Sequence, residues 1–168
     1  MTPKSVILIG MPGAGKSTIG VMLAKELAKD FIDTDVLIQV REGKTLQEIM
    51  DESDYLNLRR IEEEVLLETD LPNHVIATGG SVVYGDAGMQ HMKRYGPVVF
   101  LNVSLAELTR RIHNYESRGI ARRPDQSFQE VFDERNKLYR HYADIVVDCD
   151  GRDQAQVIGA VMQALDAA

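Results

Sequence analysis

Residues 10–17 read Gly-Met-Pro-Gly-Ala-Gly-Lys-Ser, a G-x-x-x-x-G-K-[ST] pattern set between a short apolar run and a helical stretch. Such a loop is built to hold phosphate. Its glycines let the backbone curl until successive N–H groups point at phosphate oxygens, and the helix that follows adds the partial positive charge of its N-terminus. In this pattern Lys16 reaches the β- and γ-phosphates of a nucleoside triphosphate, and the Ser17 hydroxyl ligates Mg²⁺. Gly10, Gly13, Ala14, Gly15, Lys16, Ser17 and Thr18 are the candidate nucleotide-binding residues. GTPases, motor ATPases and kinases all use such a loop. The chain has no N-K-x-D guanine signature, and the helical stretch after the loop runs straight to Asp33, leaving little room for a GTPase switch. Both points favour a kinase.

A kinase also needs an acceptor side. Asp33 and Asp35 stand two residues apart where a second strand should end, facing the phosphate loop. Two carboxylates there can divide the work: one holds Mg²⁺ through water, the other takes the proton of an acceptor hydroxyl or orients it. Asp35 also precedes an apolar helical pattern and would cap it. In the run RRIEEEVL, Arg59 and Glu62 are i and i+3 and share a helix face, although taken alone the run, including the glutamates 62–64, reads as a solvated surface. Gly79 and Gly80 in Thr78-Gly79-Gly80-Ser81 permit close backbone approach to a ligand, or simply a tight strand exit. Residues 115–126 hold Arg118, Arg122 and Arg123 with Gly119 and Pro124 and have no apolar period. This is a surface loop or, in an acidic chain with a phosphate site, a mobile lid.

These groups must be carried by a frame. Residues 5–9, 31–33, 74–77, 97–101 and 144–148 read as short buried strands, the continuous apolar kind found in parallel sheets covered on both faces. Helical patterns fall at 16–29, 35–42, 46–68 with a break near Ser53, 85–94, 105–114, 127–142 and 152–167. The alternation predicts a three-layer α/β/α sandwich on a five-stranded parallel sheet, with the ligand at the carboxyl ends of the strands. The 168 residues suit one domain, 1–168.

Composition narrows the partners. A net charge of −7 argues against nucleic acid, which is bound by clustered Lys and Arg. No stretch is long enough to span a membrane. The lone Cys149 allows no internal disulfide and reads as a packed thiol, and the four histidines show no metal-ligand spacing. A cytoplasmic protein is expected.

Together the motifs resemble the shikimate kinase family, in order and over nearly the whole chain. GMPGAGKSTIG resembles its phosphate loop, FIDTD its strand-end carboxylates, Arg59 and Glu62 its F-R-x-x-E helix, and ATGG its glycine motif. The resemblance implies a P-loop NTPase fold with a lid near 115–126 and acceptor-binding helices near 35–68. It implies ATP and Mg²⁺ as cofactors, shikimate as the acceptor, and a monomer. By the same likeness Asp33 with Ser17 serves Mg²⁺ and Asp35 contacts the reacting hydroxyl. Arg59 and Arg135 grip the substrate carboxylate, with Glu62, Gly79, Gly80 and Ser81 also on the acceptor side. Arg111 packs on adenine, and Arg118 is the lid arginine that acts with Lys16 and Asp35 in catalysis. The chain departs from that pattern at Leu58, where the family has Phe; at Ser81, where it has a third glycine; and at residues 118–121, where its lid reads R-P-L-L. The alternatives are a kinase of this fold for another small hydroxylated metabolite, and a nucleotide-binding module without transfer activity.

Overall fold

The computed structural model describes residues 4–112 and 120–168. Arg118 and residues 115–119 of the expected lid lie outside the described residues. Five strands, β1 (Val6–Ile9), β2 (Asp30–Asp33), β3 (His74–Ala77), β4 (Val98–Asn102) and β5 (Ile145–Asp148), form one sheet in the order β2-β3-β1-β4-β5. Every pairing is parallel, with Ile7 opposite Ile76 and Val98, and Asp33 opposite Ala77. The helices are α1 (Lys16–Leu27), α2 (Thr34–Glu42), α3 (Leu46–Glu52), α4 (Tyr55–Glu68), α5 (Asp86–Lys93), α6 (Leu105–Arg111), α7 (Phe128–Tyr142) and α8 (Gln154–Ala167). Among the described residues no helix is long and apolar enough to cross a membrane.

The central strands carry the core. Ile7, Leu8, Ile9, Val75, Ile76 and Val98 are fully enclosed, and each such side chain contributes about 1.5–3 kcal/mol by leaving water. The outer strands differ from the sequence expectation of uniformly buried runs. β2 is only half-buried and β5 leaves Val146 exposed, because each is an edge strand with a neighbour on one side only. A smaller apolar cluster of Ile38, Ile49, Leu58, Ile61, Val65 and Ala121 holds α2, α3 and α4 together. Leu58 therefore serves as core, and Ala121 fastens the segment after residue 119 to these helices.

Local chemistry sets the helix ends. The break near Ser53 is a C-cap followed at once by a new N-cap, Asp54, whose side chain accepts from Asn57 N. Thr45 with Glu48, and Ser127 with Glu130, form capping boxes. The cap of α2 falls to Asp33, whose Oδ1 accepts from Asp35 N at 2.9 Å; Asp35 sits in the first turn instead. Helix α1 follows Gly15 and has no side-chain cap, which leaves the N–H groups of its first turn facing the loop mouth.

Candidate active site

The phosphate loop joins β1 to α1 through three glycines at positive φ: Gly10 at 152°, Gly13 at 86° and Gly15 at 95°. A Cβ at Gly10 would press on Leu101 O at 2.9 Å, and one at Gly13 on Ile112 at 2.9 Å, so the loop tolerates no side chain at either place. Ala14 is buried beneath the turn, its N–H held by Met11 O. Lys16 is buried and lies across the loop, its Nζ donating to Gly10 O at 2.5 Å and Met11 O at 2.9 Å. Its charge is thus fixed at the mouth, where it makes the site attractive to anions.

The carboxyl ends of β1, β2 and β3 open on a cavity of about 270 Å³. Gly13, Gly15, Lys16, Ser17 and Thr18 line one side; Asp35, Glu62, Gly80, Ser81 and Arg135 line the other. Asp33 joins through Ser17, whose Oγ donates to Asp33 Oδ2 at 2.5 Å. A hydroxyl and a carboxylate facing each other beside a phosphate loop are hard oxygen donors, and they fit a Mg²⁺ ion that keeps most of its waters.

The helix phase of α4 decides which charges face inward. Leu58, Ile61 and Val65 pack in the small core, Leu58 also reaching the cavity wall beside Glu62, while Arg59 lies outside the lining and turns to Tyr84 and Ala121 O. Arg60 and Glu64 pair on the surface at 2.5 Å. The surface reading of the run thus holds for Arg60 and Glu64 and fails for Glu62, which is buried. Burial, then the neighbouring Asp35 charge, push the Glu62 carboxyl up to about 7, against the opposing pull of Ser81, Arg135 and Lys16. Ser81 Oγ donates to Glu62 Oε1 at 2.7 Å.

Glu62 and Asp35 converge above Gly79. A Cβ at Gly79 would come closer to Glu62 Oε2 and Asp35 Oδ1 than real Cβ atoms do, and one at Gly80 would meet Arg135 Nη1 at 2.8 Å. Gly79→Ala should displace both carboxylates. The expected loss in kcat/KM for the acceptor is about a hundredfold, the scale of a misplacement near 1 Å, with the thermal midpoint close to that of the parent. An alanine variant with parental kinetics would show that the two carboxylates need not meet there.

Two guanidiniums meet here, Arg135 in the cavity lining and Arg59 outside it. Arg59 Nη2 and Arg135 Nη2 both donate to Ala121 O, at 3.1 and 2.8 Å. Both Nε atoms are buried with no hydrogen-bond partner. Burial, with the nearby Arg135 charge, lowers the pKa of Arg59, yet a guanidinium stays charged. A buried cation and a half-buried one, with donors left over, can seat a carboxylate.

Other expected residues lie apart from this cavity. Arg111 ends α6, pairs with Glu107 and donates to Gly13 O at 3.2 Å, which sets it over the phosphate loop. Arg122 Nη1 donates to the carbonyls of Arg123, Pro124 and Gln126, and Arg123 lies 4.0 Å from Glu134. Arg118 lies outside the described residues. Burial pushes the Cys149 thiol up to about 11, so it is no nucleophile. Tyr84, Glu134 and Tyr139 escaped the sequence reading. The ring of Tyr84 stacks on Arg59, and Tyr139 OH donates to Gly80 O at 2.5 Å. The only signal for Tyr84 was its place three residues after Ser81.

Known proteins resemble the chain over nearly its whole length. The shikimate kinase family profile matches residues 12–166. A shikimate kinase from Mycobacterium avium is 38% identical, covering 99% of this chain and 96% of its own. The shikimate kinase of Aquifex aeolicus superposes with a TM-score of 0.82 at 30% identity, over 97% of this chain and 96% of that one. That of Acinetobacter baumannii, solved in complex with shikimate, gives 0.89 at 26% identity, over 99% and 94%. A phosphate loop on a five-stranded parallel sheet, opposed by an acceptor pocket at the strand ends, makes the protein a P-loop kinase. Within that class, the chain belongs to the shikimate kinase family.

Proposed function

We propose that the protein transfers the γ-phosphoryl group of ATP to shikimate, giving shikimate 3-phosphate, with Mg²⁺ bound near Ser17 and Asp33. The observation that carries this reading is the buried Arg135, which lines the cavity with Asp35 and Glu62 and shares the carbonyl of Ala121 with the half-buried Arg59. A hydroxylated carboxylic acid satisfies both ends: its carboxylate on the guanidiniums, its hydroxyl at Asp35. Lys16 and the uncapped start of α1 hold the β- and γ-phosphates and follow the charge as the group moves. Mg²⁺, when bound, would neutralise phosphate charge. Asp35 orients the attacking hydroxyl and accepts its proton. The Ser81 hydroxyl is engaged by Glu62, which supports shikimate over an acceptor with an extra polar group at that wall. The family likeness favours a monomer, and a lone buried thiol suits the cytoplasm.

The test is ADP release with ATP and Mg²⁺, with and without shikimate. A saturable shikimate-dependent rate is expected, and Asp35→Asn should lower kcat about a hundredfold, the scale of general-base catalysis. Intact nucleotide binding with no response to shikimate would sink shikimate as the acceptor. An Asp35→Asn variant with full kcat would remove Asp35 from the chemistry.

A further inference from the structure

Residues Val82–Tyr84 form one turn of 3₁₀ helix directly after the glycine pair, with Ser81 as its N-cap. In 3₁₀ geometry side chains at i and i+3 eclipse, so Ser81 and Tyr84 leave the turn on one side. On α4, Arg59 and Glu62 are likewise i and i+3. The two pairs meet. Ser81 Oγ donates to Glu62 Oε1 at 2.7 Å, and the Arg59 guanidinium carbon lies 3.5 Å from the Tyr84 ring centroid.

The ring is itself anchored. Tyr84 OH donates to Glu134 Oε1 at 2.6 Å, and Glu134 Oε2 accepts from Gln126 Nε2 at 3.1 Å. Tyr55, one turn before Arg59, approaches the same guanidinium at 4.8 Å. A guanidinium stacked on a ring keeps its in-plane N–H donors for another partner. A carboxylate held through one oxygen keeps the other. Arg59 Nε is buried without a partner, and Glu62 Oε2 points over Gly79 beside Asp35.

We infer that Ser81 and Tyr84 are a joint positioning pair for acceptor recognition. The turn grips Arg59 by its flat face and Glu62 by one oxygen, and so aims the free edges of both at an anionic, hydroxylated acceptor. This rests on the reading of Arg59 and Glu62 as acceptor-binding groups. In this role neither side chain touches the acceptor; each acts through its partner on α4. The serine that replaces a family glycine is then a support for Glu62, and Tyr84 is its counterpart for Arg59.

The consequence is a split in kinetics. With shikimate as the probe, Tyr84→Leu should raise the acceptor KM about tenfold, the size of a desolvated cation–π contact. The kcat and the ATP KM should stay near those of the parent, because the contact serves ground state and transition state alike. Tyr84→Phe keeps the ring and should restore the acceptor KM. In an Arg59→Ala background Tyr84→Leu should cost much less in kcat/KM than in the parent, the remainder passing through Arg135, whose guanidinium carbon lies 5.7 Å from the same ring. Ser81→Ala should behave alike against Glu62→Ala. A full additional loss in those backgrounds, or a fall in kcat with KM unchanged, would overturn the proposal. One readout needs no acceptor. The Arg59 Nε–Hε NMR resonance should be shifted upfield by the ring current of Tyr84, keep that shift in Tyr84→Phe and lose it in Tyr84→Leu. No change in the leucine variant would refute the stack whatever the acceptor. A parent with the shift but without shikimate-dependent turnover would refute shikimate and uphold the stack.

Discussion

Replacing Lys16 with alanine should lower kcat at least about a thousandfold, the upper range for removing a donor that faces developing charge. The ammonium is buried at the loop mouth and is held there by Gly10 O and Met11 O. In the proposed role it meets the phosphates already oriented and largely stripped of water, which is where a charge acts most strongly. Alanine removes the charge and also leaves two loop carbonyls without their donor, so the loop loses the group that offsets its own oxygens. Nucleotide affinity should fall less than kcat, because the first-turn N–H groups of α1 still face the phosphates. The check is steady-state turnover beside nucleotide binding, with circular dichroism to establish that the fold persists. A variant retaining a tenth of parental kcat would mean that the transferred charge is stabilised elsewhere.

Local rules made the nucleotide side legible. Gly10, Gly13 and Gly15 stand where positive φ is required, and Lys16 and Ser17 follow at fixed offsets. The alternation of apolar runs with amphipathic stretches was enough to place five parallel strands, and Asp33 at the end of β2 opposite Ser17 followed from that frame. Strand order was not legible, so nothing in the runs 31–33 and 144–148 marked β2 and β5 as edges. The choice between Arg59 and Arg60 depended on the phase of α4. Leu58, Ile61 and Val65 set that phase in the small core, but the charges between them look like any solvated face. Contacts that join distant segments had no local signature at all. The grip of Tyr84 on Arg59, 25 positions away by number (84 − 59), and the meeting of two arginines at Ala121 O both depend on how α4, α7 and the 3₁₀ turn pack.

The same packing makes Glu62 a source of instability, and Glu62→Gln should expose it. In the folded chain its carboxyl holds a proton up to about pH 7, against an ordinary value of 4.5. Between those values the folded state binds more protons than the unfolded one, so stability falls as pH rises through the window. The difference is about 3 kcal/mol, fully developed above pH 7 and absent below 4.5. Burial is the main cause and the Asp35 charge the next. Glutamine keeps the shape, still accepts from Ser81 and carries no charge to desolvate. Urea unfolding without ligands should therefore give the variant an advantage of about 3 kcal/mol at pH 8 that shrinks towards nothing near pH 4.5. Turnover should move the other way. The free Oε2 beside Asp35 becomes an amide nitrogen, a donor where an acceptor stood, and kcat/KM for shikimate should fall at least about tenfold. Greater stability with less activity is the pattern expected where a buried charge is kept for binding. Parallel pH–stability curves for parent and variant would show that the Glu62 carboxyl ionises as readily in the folded protein as in the unfolded one, and would sink the idea.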